Sequence, residues 1–203
     1  MGCSRAGLVA LGVALVAPTL GACGDNLRGV DPDDDGIHVY HFGPYQLPPG
    51  AERANDCVSV SLHNELPMFV NQVELATGSG FHHSNWLWVP ETTYPGADGT
   101  WPRNSRGFDE ALAAAAGGVL FAQSTQATGE VQAFPPGAAI AIPPHAKIVA
   151  GLHLLNAGDR TVTTGLDLTL TTIPQDQLEV QLQGLSFTNE ALALPPGLRS
   201  TFT

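Results

Sequence analysis

Residues 147–172 read KIVAGLHLLNAGDRTVTTGLDLTLTT. Two runs rich in Val, Ile, Leu and Thr, Lys147–Asn156 and Thr161–Thr172, flank the segment Ala157–Arg160, whose Gly and Asp are typical of a turn. The pattern predicts two β-strands that pair as an antiparallel hairpin. It also favours an all-β protein over a helical one.

From Ile37 onward the chain repeats this alternation of short apolar runs with clusters of Gly, Pro, Asn and Asp. Strands at this spacing predict an antiparallel, jelly-roll-like β-sandwich over residues 37–190. Phe108–Ala116 has acidic residues in its first turn and two glycines after it, as expected of a short helix between strands. The seven other predicted strands are Ile37–Phe42, Cys57–His63, Phe69–Ala76, Phe81–Val89, Val119–Gln123, Ala138–Ile142 and Leu178–Thr188.

The composition of the 203 residues excludes several classes of protein. The 8 Lys and Arg are outnumbered by 19 Asp and Glu, and the formal net charge is −11. Surfaces that bind nucleic acid need clustered Lys and Arg to neutralise phosphates, so DNA and RNA are not expected partners. Long runs of Ala, Leu, Glu and Lys, from which helical bundles are built, are absent as well.

The amino terminus has the features of an export signal. A basic residue precedes an uncharged stretch from Ala6 to Leu20, and residues 20–23 read LGAC. This ending resembles the bacterial lipoprotein signal, which implies removal of residues 1–22 as a signal peptide and lipid attachment at Cys23. We therefore expect an exported bacterial lipoprotein that is anchored to the membrane and faces the periplasm or the exterior. An uncleaved membrane-spanning helix is the alternative, although the stretch is short and contains a proline.

Residues 23–36 are expected to form an acidic tether between the anchor and the sandwich. The segment DPDDDG (31–36) has Asp and Gly at the positions that open a calcium-binding loop. The twelfth position of such a loop is Phe42, where a bidentate Glu is needed, so a solvated linker is the preferred interpretation.

Cys57 is the cysteine that remains for the folded part, since Cys3 belongs to the signal and Cys23 carries the lipid. In an exported protein an unpaired cysteine indicates a free thiol, an intermolecular disulfide or a partner outside this sequence. The sequence leaves these three alternatives open.

Two histidines stand side by side in the strand FHHSNWLWV (81–89). Consecutive strand residues point to opposite faces, so His82 and His83 reach one ion only if the strand is bulged or the two rings use different nitrogens. Glycines just upstream make such a distortion cheap. A third histidine, His153, lies in an otherwise apolar strand, where a polar ring needs a partner. Three neutral imidazoles suit copper or zinc, whereas separately hydrogen-bonded or solvated rings are the alternative.

The other histidines and soft ligands have simpler interpretations. His145 follows two prolines, and it either supports or supplements the three ligands or belongs to an exposed turn. His38, His41 and His63 are expected at strand surfaces. Packing is the expected role of Met68, Trp86, Trp88 and Trp101.

Four motifs follow one another in a specific order. They are a cysteine that opens the strand CVSV (57–60), the strand that leads into His82 and His83, the turn FPPG (134–137) and the strand GLHLLN (151–156). In these motifs the chain from Cys57 to its end resembles the first domain of the copper type II, ascorbate-dependent monooxygenases. This family contains the peptidylglycine α-hydroxylating and dopamine β-monooxygenases.

The resemblance implies a specific copper site. In the family, the adjacent histidines and the later strand histidine hold the electron-transfer copper, which corresponds to His82, His83 and His153. Copper as cofactor and ascorbate as reductant follow from the same resemblance. Ser84 stands where the family commonly has Met, and Leu154 where it usually has Tyr, so the substrate is less well indicated than the metal.

The family's hydroxylating copper is held in a second domain by a His-x-His pair and a Met. No histidine follows His153, and the methionines are Met1 and Met68. We therefore expect no catalytic residues within this chain, and residues 191–203 are interpreted as a linker or the start of a missing second copper domain.

The expected function is that of the copper-binding electron-transfer domain of a copper-dependent, ascorbate-linked monooxygenase that lacks its hydroxylating domain and whose substrate is unknown. The alternative is a non-catalytic metal-binding or surface-interaction β-sandwich lipoprotein. A zinc hydrolase would also use three histidines and a water, but the sequence offers no general base near the His pair.

Overall fold

The computed structural model describes residues 36–123, 127–184, 195–197 and 199. The expectations for residues 1–35, with the signal peptide, Cys23 and nearly all of the tether, and most of those for residues 191–203 lie outside these ranges. The described elements are the strands Ile37–Leu47 (β1), Glu52–Ser61 (β2), Met68–Thr77 (β3), Phe81–Pro90 (β4), Gly99–Pro102 (β5), Gly118–Gln123 (β6), Gly129–Ala133 (β7), Ala138–Ile142 (β8), Ala146–Leu155 (β9), Val162–Ile173 (β10) and Val180–Leu182 (β11), with one α-helix, Glu110–Ala116 (α1).

The strands form two sheets that pack face to face. Sheet A has the order β1-β10-β3-β8-β11, with β7 also paired to β3, and sheet B has the order β5-β2-β9-β4-β6. The eight strands in the orders β1-β10-β3-β8 and β2-β9-β4-β6 give a jelly roll. The expected all-β, jelly-roll-like sandwich with one short helix is therefore confirmed.

The main core lies between the two sheets and is built from alternate residues of their inner strands. Trp86 on β4 is fully buried, lies 5.4 Å from the Phe42 ring and donates a hydrogen bond to the Ser84 hydroxyl. From β9 and β10, the alternating side chains fully or almost fully enclosed in this core are Ile148, Ala150, Leu152, Leu154, Leu166, Leu168 and Leu170. Because alternate residues of a strand face opposite sides, the odd-numbered residues of β9 face away from this core.

The predicted hairpin between β9 and β10 is wrong. Strand β9 pairs with β2 and β4 in sheet B, whereas β10 pairs with β1 and β3 in sheet A. The connecting segment crosses from one sheet to the other and is fixed by Asn156, whose amide donates to the carbonyls of Leu47, Pro48 and Arg160. Strand-turn-strand patterning is the same for a hairpin and for a crossing, so the local sequence cannot distinguish them.

Several boundaries also differ from the sequence-based expectation. Strands β5 and β7 were not predicted, because they are short and contain Gly, Pro, Glu or Gln, which are uncommon in strands. The last predicted strand is confirmed only as β11, and its end lies outside the described residues. Helix α1 begins after Asp109, whose carboxylate accepts a hydrogen bond from the Leu112 amide.

A second, smaller core covers part of the outer face of sheet B. Phe108 and Ala113, from α1 and the segment before it, pack there against residues of sheet B. The buried residues of this core are Cys57, Leu87, Val89, Trp101, Phe108, Ala113 and Val149. Within the described ranges, no helix is long and apolar enough to cross a membrane.

Candidate metal centre

The two strands that carry the candidate ligands are neighbours in sheet B. Strands β4 and β9 pair antiparallel, and their register sets His83 directly opposite His153. Directly opposed residues of an antiparallel pair lie on the same face of the sheet, with side chains close enough to interact. Strand pairing therefore brings His83 and His153 together although they are 70 residues apart in the sequence.

A β-bulge brings His82 to the same place. The register of β4 against β9 shifts between Phe81 and His83, so His82 is the extra residue of the bulge. Its ring centroid lies 5.0 Å from that of His83 and 4.7 Å from that of His153. The bulge, one of the two conditions under which adjacent strand histidines can share an ion, is thus present.

Gly80 makes the approach to the bulge possible. Its φ of +87° lies in the left-handed region. A Cβ at this position would lie 2.7 Å from Leu47 Cδ1 and 2.9 Å from Val162 Cγ2. Both the left-handed backbone and the lack of space for a Cβ therefore favour glycine at position 80.

We expect Gly80→Ala to lower the free energy of unfolding by about 2–4 kcal/mol, since overpacking adds to the left-handed backbone penalty. The matched control is Gly50→Ala, because Gly50 has a φ of +70° and a Cβ added there would meet no described atom within 4 Å. The control should cost only about 1–2 kcal/mol. Urea unfolding of the three proteins checks this, and equal losses in both variants would refute the packing argument.

Nitrogens of the three rings lie close enough together to share one ion. His153 Nδ1 lies 3.0 Å from His83 Nε2, and one ligand atom from each of the three histidines falls within 4.8 Å of the others. Two metal–nitrogen bonds of 2.0–2.1 Å at a tetrahedral angle separate their nitrogens by roughly 3.3 Å. His82 Nδ1 is buried and has no hydrogen-bond partner among the described residues. An unpaired buried nitrogen beside two converging imidazoles fits a metal ligand.

The electrostatics keep His83 in the form that binds metals. Burial lowers the pKa of His83, and the neighbouring His153 and His82 lower it further, while Glu110 acts in the opposite direction. A neutral imidazole has a free lone pair for coordination, whereas an imidazolium has none.

Glu52 on β2 holds the far side of the His153 ring. Its Oε1 lies 2.7 Å from His153 Nε2, a contact between residues 101 positions apart. A carboxylate only accepts hydrogen bonds, so Nε2 carries the proton and Nδ1 presents its lone pair toward His83. This is the carboxylate–histidine arrangement that orients metal ligands in many proteins.

Removal of this contact should weaken metal binding. We expect Glu52→Ala to reduce the metal affinity of the three-histidine site by about 10–100-fold, and Glu52→Gln to retain part of that affinity, because its carbonyl oxygen still accepts from Nε2–H. Glu74→Ala removes the same charge from sheet A and should leave the affinity unchanged. Competition titration against a chelator measures all three, and equal affinities of the Glu52→Ala and Glu74→Ala variants would contradict the orienting role.

A polar group that the sequence did not indicate lies beside the histidines. Glu110 of α1 accepts hydrogen bonds from Arg103 Nη2 at 2.8 Å and from Asn85 Nδ2 at 3.0 Å. Asn85 follows His83 by two residues on β4, so it faces the same side. Only the packing of α1 on sheet B reveals this group. The Glu110 carboxylate therefore lies near the histidines, where the sequence had indicated no general base.

The structure does not bring His145 to this cluster. His145 is exposed, precedes β9 and bonds through its backbone to Asn64 and Glu91. It is eight residues from His153 along one strand, a distance of roughly 26 Å. His38 and His41 lie on β1 in sheet A, where His41 contacts Asp167, and His63 contacts Glu91.

The remaining predicted residues lie mostly in the two cores. Cys57 is a free, buried thiol within the described part of the chain, and burial raises its pKa to about 12. Trp86 belongs to the main core and Trp101 to the second one, as expected. Trp88 and Met68 are partly buried against the main core.

Comparison with known proteins gives no family. No protein-family model matches this chain, and no curated protein matches it. A structure of deformed wing virus, a honeybee pathogen, is 11% identical over 97% of this chain and 69% of that chain, with a TM-score of 0.28. A structure of the infectious bursal disease virus Gx strain is 11% identical over 68% of this chain and 32% of that chain, with a TM-score of 0.21. Likenesses at these scores support no inference about this chain.

Proposed function

We propose that this chain binds one copper ion through His82, His83 and His153 and uses it for electron transfer. The observation that carries the proposal is the convergence of three imidazoles, from a bulged strand and its direct neighbour, onto one place. The unpartnered Nδ1 of His82 and the Glu52 contact to His153 support the same assignment.

The donor set favours copper or zinc over harder cations. Imidazole nitrogens suit copper and zinc, whereas calcium and magnesium take oxygen ligands. Bound copper would supply one-electron chemistry between Cu(I) and Cu(II), which zinc cannot supply. The protein's own contribution is to hold the three rings at fixed spacing, to keep His83 neutral and to direct His153 Nδ1 inward through Glu52.

The sequence motifs connect this site with the copper type II, ascorbate-dependent monooxygenases. The proposal therefore includes ascorbate as reductant, and a lipoprotein anchored through Cys23 on the outer side of a bacterial membrane. The proposal concerns the electron-transfer copper of that family alone. The substrate of any complete enzyme is left open.

The test is titration of the purified protein with Cu(II) and, separately, with Zn(II). We expect one equivalent of Cu(II), an electron paramagnetic resonance spectrum with nitrogen hyperfine structure, and loss of the signal on addition of ascorbate. Stoichiometric binding without reduction would instead support the alternative of a non-catalytic metal-binding lipoprotein. Absence of stoichiometric copper binding would contradict the proposal.

A further inference from the structure

A small recess adjoins two of the three histidines on the outer face of sheet B. Its volume is about 120 Å³. It is lined by Ala54, His83, Arg103, Glu110, Gly151, Leu152 and His153.

The recess exists because position 151 carries no side chain. A Cβ on Gly151 would lie 2.8 Å from Glu110 Oε1 and 3.3 Å from Arg103 Nη2. Gly151 lies on β9 two residues before His153, so it faces the same side of the sheet. The three atoms nearest to that Cβ belong to Glu110, Arg103 and Phe108, none of which is a candidate ligand.

Arg103 gives the recess an unused hydrogen-bond donor. Its Nη2 carries two N–H groups, of which one donates to Glu110 Oε1, and it would lie 3.3 Å from a Cβ on Gly151. The second N–H of Nη2 can donate to an acceptor atom of a ligand in the recess. Glu110 is itself occupied by Arg103 and Asn85, so the ion pair forms one fixed wall of the recess.

We propose that this recess binds a small monoanion of azide or formate size, which lies between Arg103 and the open coordination position of the metal. The inference rests on the proposed function, because three protein ligands leave a fourth position for an exogenous group. His83, His153 and Arg103 all line this one small recess, so a ligand within it lies near both the metal site and the guanidinium group. Position 151 and Arg103 thereby select the size and charge of the ligand.

The test uses the full chain loaded with one equivalent of Cu(II) and titrated with sodium azide. Copper content is measured in the same samples, and azide binding is followed by electron paramagnetic resonance and by absorption. We expect a saturable spectral change, an affinity about tenfold or more weaker in Arg103→Gln, and no saturable change in Gly151→Ala. Both variants should keep one equivalent of copper. Arg160→Gln, in the exposed turn after β9, is the matched control and should bind azide as the unmodified chain does.

The outcomes separate the two proposals. A chain that binds no copper overturns the proposed function and this inference together. Copper bound at one equivalent with no response to azide overturns this inference alone. Equal azide affinities in the unmodified chain, Arg103→Gln and Gly151→Ala would place azide elsewhere on the metal and would also overturn it.

Discussion

Replacement of His153 by alanine is expected to abolish stoichiometric copper binding, with a loss of affinity of more than about 100-fold. Loss of a residue behind a ligand already costs about 10–100-fold, and removal of the ligand itself should cost more. His153 lies directly opposite His83 and carries the nitrogen nearest to it, at 3.0 Å. The described residues contain no other histidine close enough to the pair to replace it. Copper content after gel filtration, with electron paramagnetic resonance, measures the effect.

The matched control for this variant is His145→Ala. It makes the same chemical change, but in an exposed turn at the opposite end of β9. It should keep one equivalent of copper and an unchanged spectrum. Retention of copper by His153→Ala, or equal loss in both variants, would remove His153 from the ligand set.

Asn156→Asp is expected to lower the free energy of unfolding by about 3–5 kcal/mol, because it leaves an uncompensated buried charge. The side-chain amide of Asn156 donates to three carbonyl oxygens, and its Oδ1 accepts from the Gly158 amide. The aspartate has the same shape, but its second oxygen would face three acceptors and no donor. Urea unfolding near pH 7 measures the loss.

Lower pH should partly restore the stability of Asn156→Asp. The direction of this pH dependence follows from the surroundings of the introduced carboxyl group. Surrounding carbonyl oxygens disfavour the carboxylate, so the pKa of the introduced acid is raised in the folded state. The destabilisation is therefore full well above about pH 4 and shrinks as pH falls through the folded pKa. Asn104→Asp, at an exposed position, is the control and should cost little at any pH. Equal stability of the two variants near pH 7 would contradict the role given to Asn156.

The sequence predicted the β-sandwich and most of its strands, but not how the strands are connected. Apolar periodicity located most of the strands that form the two sheets, including β4 and β9 but not β5 and β7, because each pattern is local. The hairpin prediction failed at Ala157–Arg160, since the turn residues there would fit either a return within one sheet or a crossing between sheets. What decides between them is the pairing of β9 with β2 and of β10 with β1, which depends on distant residues.

Some residues of the candidate site could likewise be predicted from the sequence, and others could not. His82 and His83 could be identified because they are adjacent, and strand geometry shows that they share one ion only through a bulge or through different ring nitrogens. Glu52 could not, because its contact with His153 spans 101 residues and depends on the register of β2 against β9. The position of Glu110 near the site could not be predicted either, because the sequence shows it only as an acidic residue in the first turn of a helix.

The position of β4 and β9 inside sheet B has a consequence for redox behaviour. Strand β9 is the middle strand of the sheet, and β4 pairs with β9 and, from Ser84 onward, with β6. The ligands themselves lie at shifts of register, of β4 against β9 at His82 and of β2 against β9 opposite His153. A copper ion bound there would find the neighbouring strand segments fixed, and any change in ligand spacing on gain or loss of an electron would be taken up at the bulged positions.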